Sequence, residues 1–189
     1  SFANLRWRVI RINEDGTIRL MMQDSLNNKT YAFNPTYDNY IYMYYSESDV
    51  TNGAKKTIDT WYSSTLETNF GSYIATTNFC EAAKVKQAAN HTSGNAIMET
   101  ANVYKPNFKC PLDGNGKQYV TAKAGLITVD EVAMAGIPLN NGSQTNNPNT
   151  YLQKDARYST ISPDGFQNER ARIWYVQTSG CASYDGVYG

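Results

Sequence analysis

The residues able to carry out catalysis are few and scattered in this sequence. The single histidine, His91, lies in a polar stretch (residues 90–94), so a His-dependent triad would depend on that one side chain. There is no G-x-S-x-G nucleophile motif and no glycine-rich phosphate loop, because the glycines are scattered at predicted turns. Asp130 and Glu131 are adjacent carboxylates, but helix capping explains them more simply than acid/base chemistry does. The sequence therefore predicts a protein that is not an enzyme.

Two further segments admit a binding interpretation. Residues 113–116 (Asp-Gly-Asn-Gly) could loosely hold a cation, but they lack the other carboxylates of a calcium loop, and a simple turn is preferred. Residues 37–45 are a block rich in tyrosine that could stack against a sugar or a base. A partly buried aromatic layer under a long loop is the preferred interpretation. We expect no metal and no cofactor.

The three cysteines, Cys80, Cys110 and Cys181, favour a disulfide over a metal site. No C-x-x-C pair occurs, and one histidine cannot complete a Cys/His zinc set. We predict a disulfide between Cys80 and Cys110, which would close a loop of about 30 residues and stabilise the fold by about 3–4 kcal/mol. Cys181 is then left over. Three buried thiols in a reducing compartment are the alternative.

Charge and composition exclude several classes of protein. Lysine and arginine together number 17, and so do aspartate and glutamate, which gives a formal net charge of zero. A nucleic-acid-binding protein needs a basic surplus, and a membrane-surface protein needs a polybasic face. No apolar run approaches the roughly 20 residues of a spanning helix. We expect no nucleic-acid partner and no membrane insertion of this domain. The weakly charged composition, rich in Asn, Thr, Ser and Tyr, favours an extracellular location.

Turn residues and hydrophobic periodicity predict the elements of the first half of the chain. Residues 5–12 and 17–22 are predicted to form a hairpin, because the Asp-Gly pair at the end of residues 13–16 favours a tight turn. Residues 54–67 are predicted as a helix that Thr51-Asn52 can cap and that Gly71 ends. Its apolar face has helical spacing and consists of Ile58, Trp61, Tyr62, Thr65 and Leu66.

The second half is predicted to hold one more helix and three short strands. Thr128 and Glu131 form a capping box, and Gly136 ends the helix that follows. The strands are predicted at residues 158–163, 172–177 and 184–189. Alternation along 172–177 places Trp174 and Val176 in the core and Tyr175 and Gln177 at the surface. With no repeats and no linker, the chain is expected to be one α+β domain over residues 1–189.

Four groups of motifs, in this order along the chain, resemble a known family. They are residues 7–16 with 18–20; residues 58–62 with Leu66, Phe79-Cys80 and 108–111; residues 125–132 with 135–136; and residues 160–163 with 174–176. Their order and spacing resemble the C-type-lectin-like domains of bacterial and phage surface proteins. These are relatives of the formylglycine-generating-enzyme-type fold and include the variable proteins of diversity-generating retroelements. The formylglycine-generating activity needs two cysteines near the C-terminus, and only Cys181 lies there.

This resemblance covers residues 7–189 and implies an irregular C-type-lectin-like α+β fold, with two helices flanking small antiparallel sheets. It also implies a closing strand that lies beyond Gly189 or comes from elsewhere. In the diversified members the ligand contacts come from near the C-terminus, and the matching segment here is 164–187. Its side chains combine large amphipathic anchors with adaptable polar groups. The implied ligand-binding residues are Asp164, Phe166, Gln167, Asn168, Glu169, Arg170, Arg172, Tyr175, Gln177, Ser179, Ser183, Tyr184 and Asp185.

Together these features predict a non-catalytic domain, displayed on a bacterial surface or a virion, that binds a protein or a cell-surface glycan through its C-terminal face. An ordinary surface hairpin is the alternative interpretation of residues 164–187. For the whole protein, the alternative is a structural subunit of a pilus-like or surface assembly, whose Tyr- and Asn-rich faces pack against copies of itself. An oxidase or hydrolase on the same fold would depend on Cys181 or His91.

Overall fold

The computed structural model describes residues 1–26, 54–80, 93–94, 119–137, 151–152, 154, 158–167, 170–176 and 182–186. For residues 93–94, 163–167, 170–174 and 182–186 it describes the backbone alone. The tyrosine-rich block 37–45, His91 and the 113–116 segment lie outside these ranges, and the interpretations given for them stay predictions. Among the helices described, none is long and apolar enough to cross a membrane.

The described residues form a mixed fold of helices and small antiparallel sheets, which confirms the predicted α+β class. The elements are β1 (Trp7–Ile12), β2 (Ile18–Met22), α1 (Ala54–Tyr62), a π turn (Ser63–Glu67), α2 (Thr68–Phe70), a 3-10 turn (Gly71–Tyr73), β3 (Thr77–Cys80), β4 (Ser93–Gly94), β5 (Tyr119–Ala122), α3 (Val129–Met134), β6 (Tyr158–Gln167), β7 (Arg170–Val176) and β8 (Ala182–Gly186). Strand β1 pairs with β2, and β3 pairs with β5. The remaining strands form a sheet in the order β4-β6-β7-β8, and every pairing is antiparallel.

The predicted N-terminal hairpin is confirmed. Gly16 adopts a positive φ of 82°, a conformation that glycine takes at little cost and that lets the chain reverse. The Asp15 carboxylate accepts hydrogen bonds from the Thr17 amide at 2.9 Å and from the Thr17 hydroxyl at 2.6 Å. The Asn13 amide closes the turn on the Thr17 carbonyl at 2.8 Å. Short-range signals in the sequence were therefore sufficient to find this element.

The predicted helix at 54–67 is present but longer, because α1, the π turn and α2 run on without a break to Phe70. Ile58, Tyr62 and Leu66 repeat every four residues and are buried, as expected for the apolar face. Thr65 is exposed, so its assignment to that face was wrong. A π turn is wider than an α turn, and here it keeps Leu66 in line with Tyr62 while Thr65 turns toward solvent.

The predicted capping box of α3 is confirmed, and it sets the helix against the main hydrophobic core. The Glu131 amide donates to the Thr128 hydroxyl at 3.2 Å, and the Thr128 amide donates to the Glu131 carboxylate at 3.0 Å. Gly136 ends the helix with a φ of 88°. The core cluster draws on β2, α3 and β7 and comprises Met21, Ile127, Val129, Val132, Ile137, Leu152 and Val176.

Cys80, the last residue of β3, is disulfide-bonded in the structure. Its two possible partners, Cys110 and Cys181, both lie outside the described residues. The choice of Cys110 as the partner therefore stays a prediction, while Cys80 itself takes part in a disulfide.

Candidate ligand-binding surface

Most of the residues that the resemblance implies as ligand contacts belong to the three strands β6, β7 and β8. The register places Gln167 opposite Arg170 and Phe166 opposite Ala171, at the end where β6 turns into β7. Arg172 stands opposite Gly186 and Ile173 opposite Asp185, where β7 pairs with β8. Residues that are separated in the sequence thus occupy neighbouring register positions of one sheet.

Alternation divides the positions of β7 between the two faces of the sheet. Val176 is fully buried and pairs with Tyr158 on one side and Ala182 on the other, so this row marks the core face. Tyr175 pairs with Ser159 and with Ser183, and this row belongs to the opposite face because successive residues of a strand alternate. The prediction of a buried Val176 is confirmed. Tyr175, expected at the surface, is half-buried.

The same alternation separates the predicted contacts into two groups of positions. Positions 173, 175, 183 and 185 share one face, and positions 172, 174, 176, 182 and 184 share the face that carries Val176. Of the predicted contacts, Tyr175, Ser183 and Asp185 therefore stand together on the outer row. Arg172 and Tyr184 occupy positions on the row of Val176.

Four of the predicted contacts, Asn168, Glu169, Gln177 and Ser179, lie outside the described residues. For Asp164, Phe166, Gln167, Arg170, Arg172, Ser183, Tyr184 and Asp185 the backbone alone is described. The structure thus gives their register positions, and their role in binding stays a prediction.

Strand β6 was predicted to end at Pro163, and it continues to Gln167. Proline cannot donate a main-chain hydrogen bond, so it is tolerated in a sheet only at an edge or an irregularity. Here Pro163 stands opposite Ile173, with a register shift on each side of it. These irregularities let the strand pass the proline and carry residues 164–167 alongside β7.

The same irregular part of β6 ties the sheet to α3. Thr160, Ile161 and Ser162 are all buried, and the Ser162 hydroxyl accepts a hydrogen bond from the Val129 amide at 2.9 Å. The Ile161 amide donates to the Ile127 carbonyl at 2.9 Å. Strand β6, which forms part of the candidate surface, is therefore held in place by hydrogen bonds to Ile127 and to the start of α3, and by its own buried residues.

Glu131 lies in a cluster of charged side chains, and its contacts indicate a structural role. Its carboxylate is 4 % exposed and lies 3.2 Å from Arg19 Nε and 3.6 Å from Arg11 Nη1. Arg11 and Arg19 are opposite each other in the β1–β2 register, so the hairpin presents both cations to one carboxylate. Both oxygens have partners, because Oε2 also accepts from the Thr128 amide. The capping interpretation of this glutamate is confirmed, whereas its ion pairs had no signal in the local sequence.

Aromatic packing holds Arg19, one of the two arginines paired with Glu131. The Arg19 guanidinium lies 4.2 Å from the centroid of the Phe79 ring, a cation–π distance. A Cβ on Gly125 would lie 2.3 Å from the same ring, so only glycine allows this close approach. Among the described residues, no group of three or more His, Cys, Asp or Glu side chains could hold a metal ion.

Comparison of the chain with protein-family models, with curated proteins and with solved structures finds no match in any of the three. The family resemblance thus depends on the sequence motifs, and the binding role depends on the candidate surface. Both are proposals.

Proposed function

We propose that this chain is a non-catalytic ligand-binding domain with a C-type-lectin-like fold of the formylglycine-generating-enzyme type. It is displayed on a bacterial surface or a virion and binds a protein or a cell-surface glycan through β6, β7 and β8. The observation that carries the proposal is the outer row of this sheet, where Tyr175 stands between Ser159 and Ser183, one position from a fully buried Val176.

A rigid base beneath variable positions is what a binding scaffold needs. Preorganised contacts bind more tightly because less conformational entropy is lost on association. The buried Val176 and the hydrogen bond from Val129 to Ser162 hold β6 and β7 in place independently of what occupies the outer row. Tyrosine with small polar neighbours is a frequent combination in binding surfaces, since Tyr offers a large contact area at low entropic cost.

Sequencing the 3′ end of this gene across its host population tests the diversified form of the proposal. We expect substitutions to concentrate within codons 164–187. Inside that window the outer positions 173, 175, 183 and 185 should vary, whereas Val176 and Ala182 should stay constant because they share the core row. Uniform sequence across the window, or variation that ignores the alternation, would remove the claim of diversification.

A direct binding test applies to a fixed surface as well. The purified domain is screened on a glycan array and against intact bacterial cells, and each positive is repeated with Tyr175→Ala. The matched control is Tyr73→Ala, since Tyr73 is 78 % exposed on the turn after α2 and away from this sheet in the chain. Loss of binding in the first variant with retention in the second is the expected result. Equal binding by both variants would place the ligand elsewhere.

The alternative, a structural subunit that packs against copies of itself, has one observation in its favour. Ile12 and Ile18 are paired at the turn end of the β1–β2 hairpin and are 73 % and 54 % exposed. Exposed apolar pairs on a strand are suited to self-association. Sedimentation separates the two functions: a monomer at all concentrations supports the binder. Ordered polymers that Ile12→Thr with Ile18→Thr abolishes would support the subunit.

A further inference from the structure

A cluster of cations and tyrosines lies beside β1 and includes none of the predicted contact residues. The Arg8 guanidinium carbon is 5.8 Å from the centroid of the Tyr151 ring, and Lys154 Nζ is 4.9 Å from the centroid of the Tyr158 ring. Asp24 lies near Lys154 as well, but its carboxylate is already engaged by Arg6, whose Nε donates to Oδ2 at 3.1 Å. The cluster therefore has more positive than negative charge.

Hydrogen bonds hold the segment that carries Lys154 against β1 and β6. The Val9 amide, next to Arg8, donates to the Tyr151 hydroxyl at 3.1 Å, and the Tyr158 hydroxyl donates to the Leu152 carbonyl at 3.0 Å. Burial, followed by the charge of Arg8, lowers the pKa of Lys154 to about 8, and Asp24 offsets only part of this effect. The charged groups that act on the Lys154 ammonium are thus Arg8 from β1 and Asp24 from the end of the hairpin, and the ring of Tyr158 from β6 packs against it. An anion placed between the two cations would remove the repulsion and favour the charged lysine.

Tyr151 adds a flat, fixed and accessible surface to these two cations. It is 54 % exposed, and its hydroxyl accepts a hydrogen bond from the Val9 amide at 3.1 Å, which limits its movement. A tyrosine ring held in this way can stack against the apolar face of a compact ring-shaped ligand at little entropic cost.

We propose that Arg8, Tyr151 and Lys154 form a binding site for a carboxylated sugar, such as a uronic acid residue of a polysaccharide. The carboxylate is held between the guanidinium of Arg8 and the ammonium of Lys154, in charge-assisted hydrogen bonds. The sugar ring stacks on Tyr151. An extended acidic peptide fits less well, because the Tyr151 hydroxyl already occupies the Val9 amide, a main-chain donor that an added strand would need.

Titration calorimetry with D-glucuronate, D-glucose, sodium sulfate and a tetraglutamate peptide tests this site on the full chain. Glucuronate is expected to bind, and glucose at least about tenfold more weakly, since a hydrogen bond to a charged group corresponds to about this factor. Lys154→Met and Tyr151→Leu should each weaken glucuronate binding by about tenfold. Lys56→Met, at an exposed lysine of α1, and Tyr73→Leu are the matched controls and should bind normally.

Several results would overturn the proposal. Equal affinity for glucose and glucuronate would remove the role of the carboxylate. Sulfate binding as tight as glucuronate binding would show a simple anion site without a sugar. Tighter binding of tetraglutamate would indicate an acidic peptide instead. Circular dichroism of each variant, matching that of the unchanged chain, separates loss of binding from loss of folding.

The pH dependence gives a readout that a merely structural lysine would not move. Because the ammonium form of Lys154 binds the carboxylate, affinity for glucuronate should fall as the pH rises through about 8. The NMR-detected pKa of Lys154 should rise when glucuronate is bound. In Lys154→Met the fall in affinity should disappear. Affinity that stays constant between about pH 7 and about pH 9 would refute the assignment of Lys154.

Discussion

Replacing Glu131 by glutamine removes one buried charge while keeping the size of the side chain and its cap. The Glu131 carboxylate is 4 % exposed and lies 3.2 Å from Arg19 Nε. The amide oxygen of the substituted side chain can still accept from the Thr128 amide, which donates at 3.0 Å. Glu131→Gln therefore tests the ion pair and leaves the capping box in place.

The expected loss follows from how far Arg19 can return to water. Removing one partner of a buried ion pair costs about 3–5 kcal/mol, because the remaining charge stays desolvated. Arg19 is 12 % exposed and lies over the Phe79 ring, so most of this penalty applies to it. Arg11 is 45 % exposed and re-solvates easily, so its share is within about 0–1 kcal/mol. We expect Glu131→Gln to lower the free energy of unfolding by about 2–4 kcal/mol.

Urea unfolding followed by circular dichroism under non-reducing conditions measures this change. The matched control is Glu67→Gln, at an exposed glutamate that accepts a hydrogen bond from the Ser63 hydroxyl, with an expected change within about 0.5 kcal/mol. In an Arg19→Met background the effect of Glu131→Gln should shrink strongly, since the cation left unpaired is gone. A loss for Glu131→Gln below about 0.5 kcal/mol, or one of equal size in both backgrounds, would refute the reasoning.

Three further predictions concern single contacts. Gly125→Ala should lower the free energy of unfolding by about 1–3 kcal/mol, because its Cβ would lie 2.3 Å from the Phe79 ring, and adding Phe79→Leu should recover part of the loss. Tyr62→Phe should leave stability unchanged or raise it, because the buried hydroxyl has no hydrogen-bond partner among the described residues; a loss above about 1 kcal/mol contradicts this. Thr17→Val should raise the pKa of Asp15, which the Thr17 hydroxyl and then its amide hold below 3.8. Because folding lowers that pKa, the contribution of Asp15 to the free energy of unfolding is present above about pH 4 and is lost as the pH falls through the folded-state pKa. NMR titration should find a higher Asp15 pKa in the variant, and this pH dependence should then be weaker.

The sequence alone determined the elements whose signals lie within a few residues of each other. The Asp15-Gly16 turn fixes the first hairpin, because Gly16 adopts the positive φ and Asp15 binds Thr17 two residues on. The capping box places the start of α3 for the same reason, since Thr128 and Glu131 satisfy each other's main-chain donors. Strand alternation also placed Val176 in the core correctly.

The tertiary structure decided what depends on contacts between distant residues. No local pattern brings β3 beside β5, and none brings Arg11 and Arg19 to the Glu131 carboxylate; both arrangements join segments that are far apart in the chain. Strand β6 passes Pro163 because pairing with β7 outweighs the missing donor. The register in which β6 pairs with β7 was equally beyond the sequence, since the irregularities around Pro163 set it. Register and pairing depend on burial and hydrogen bonding over the whole fold, and a short segment of sequence determines only the part that its own residues contribute.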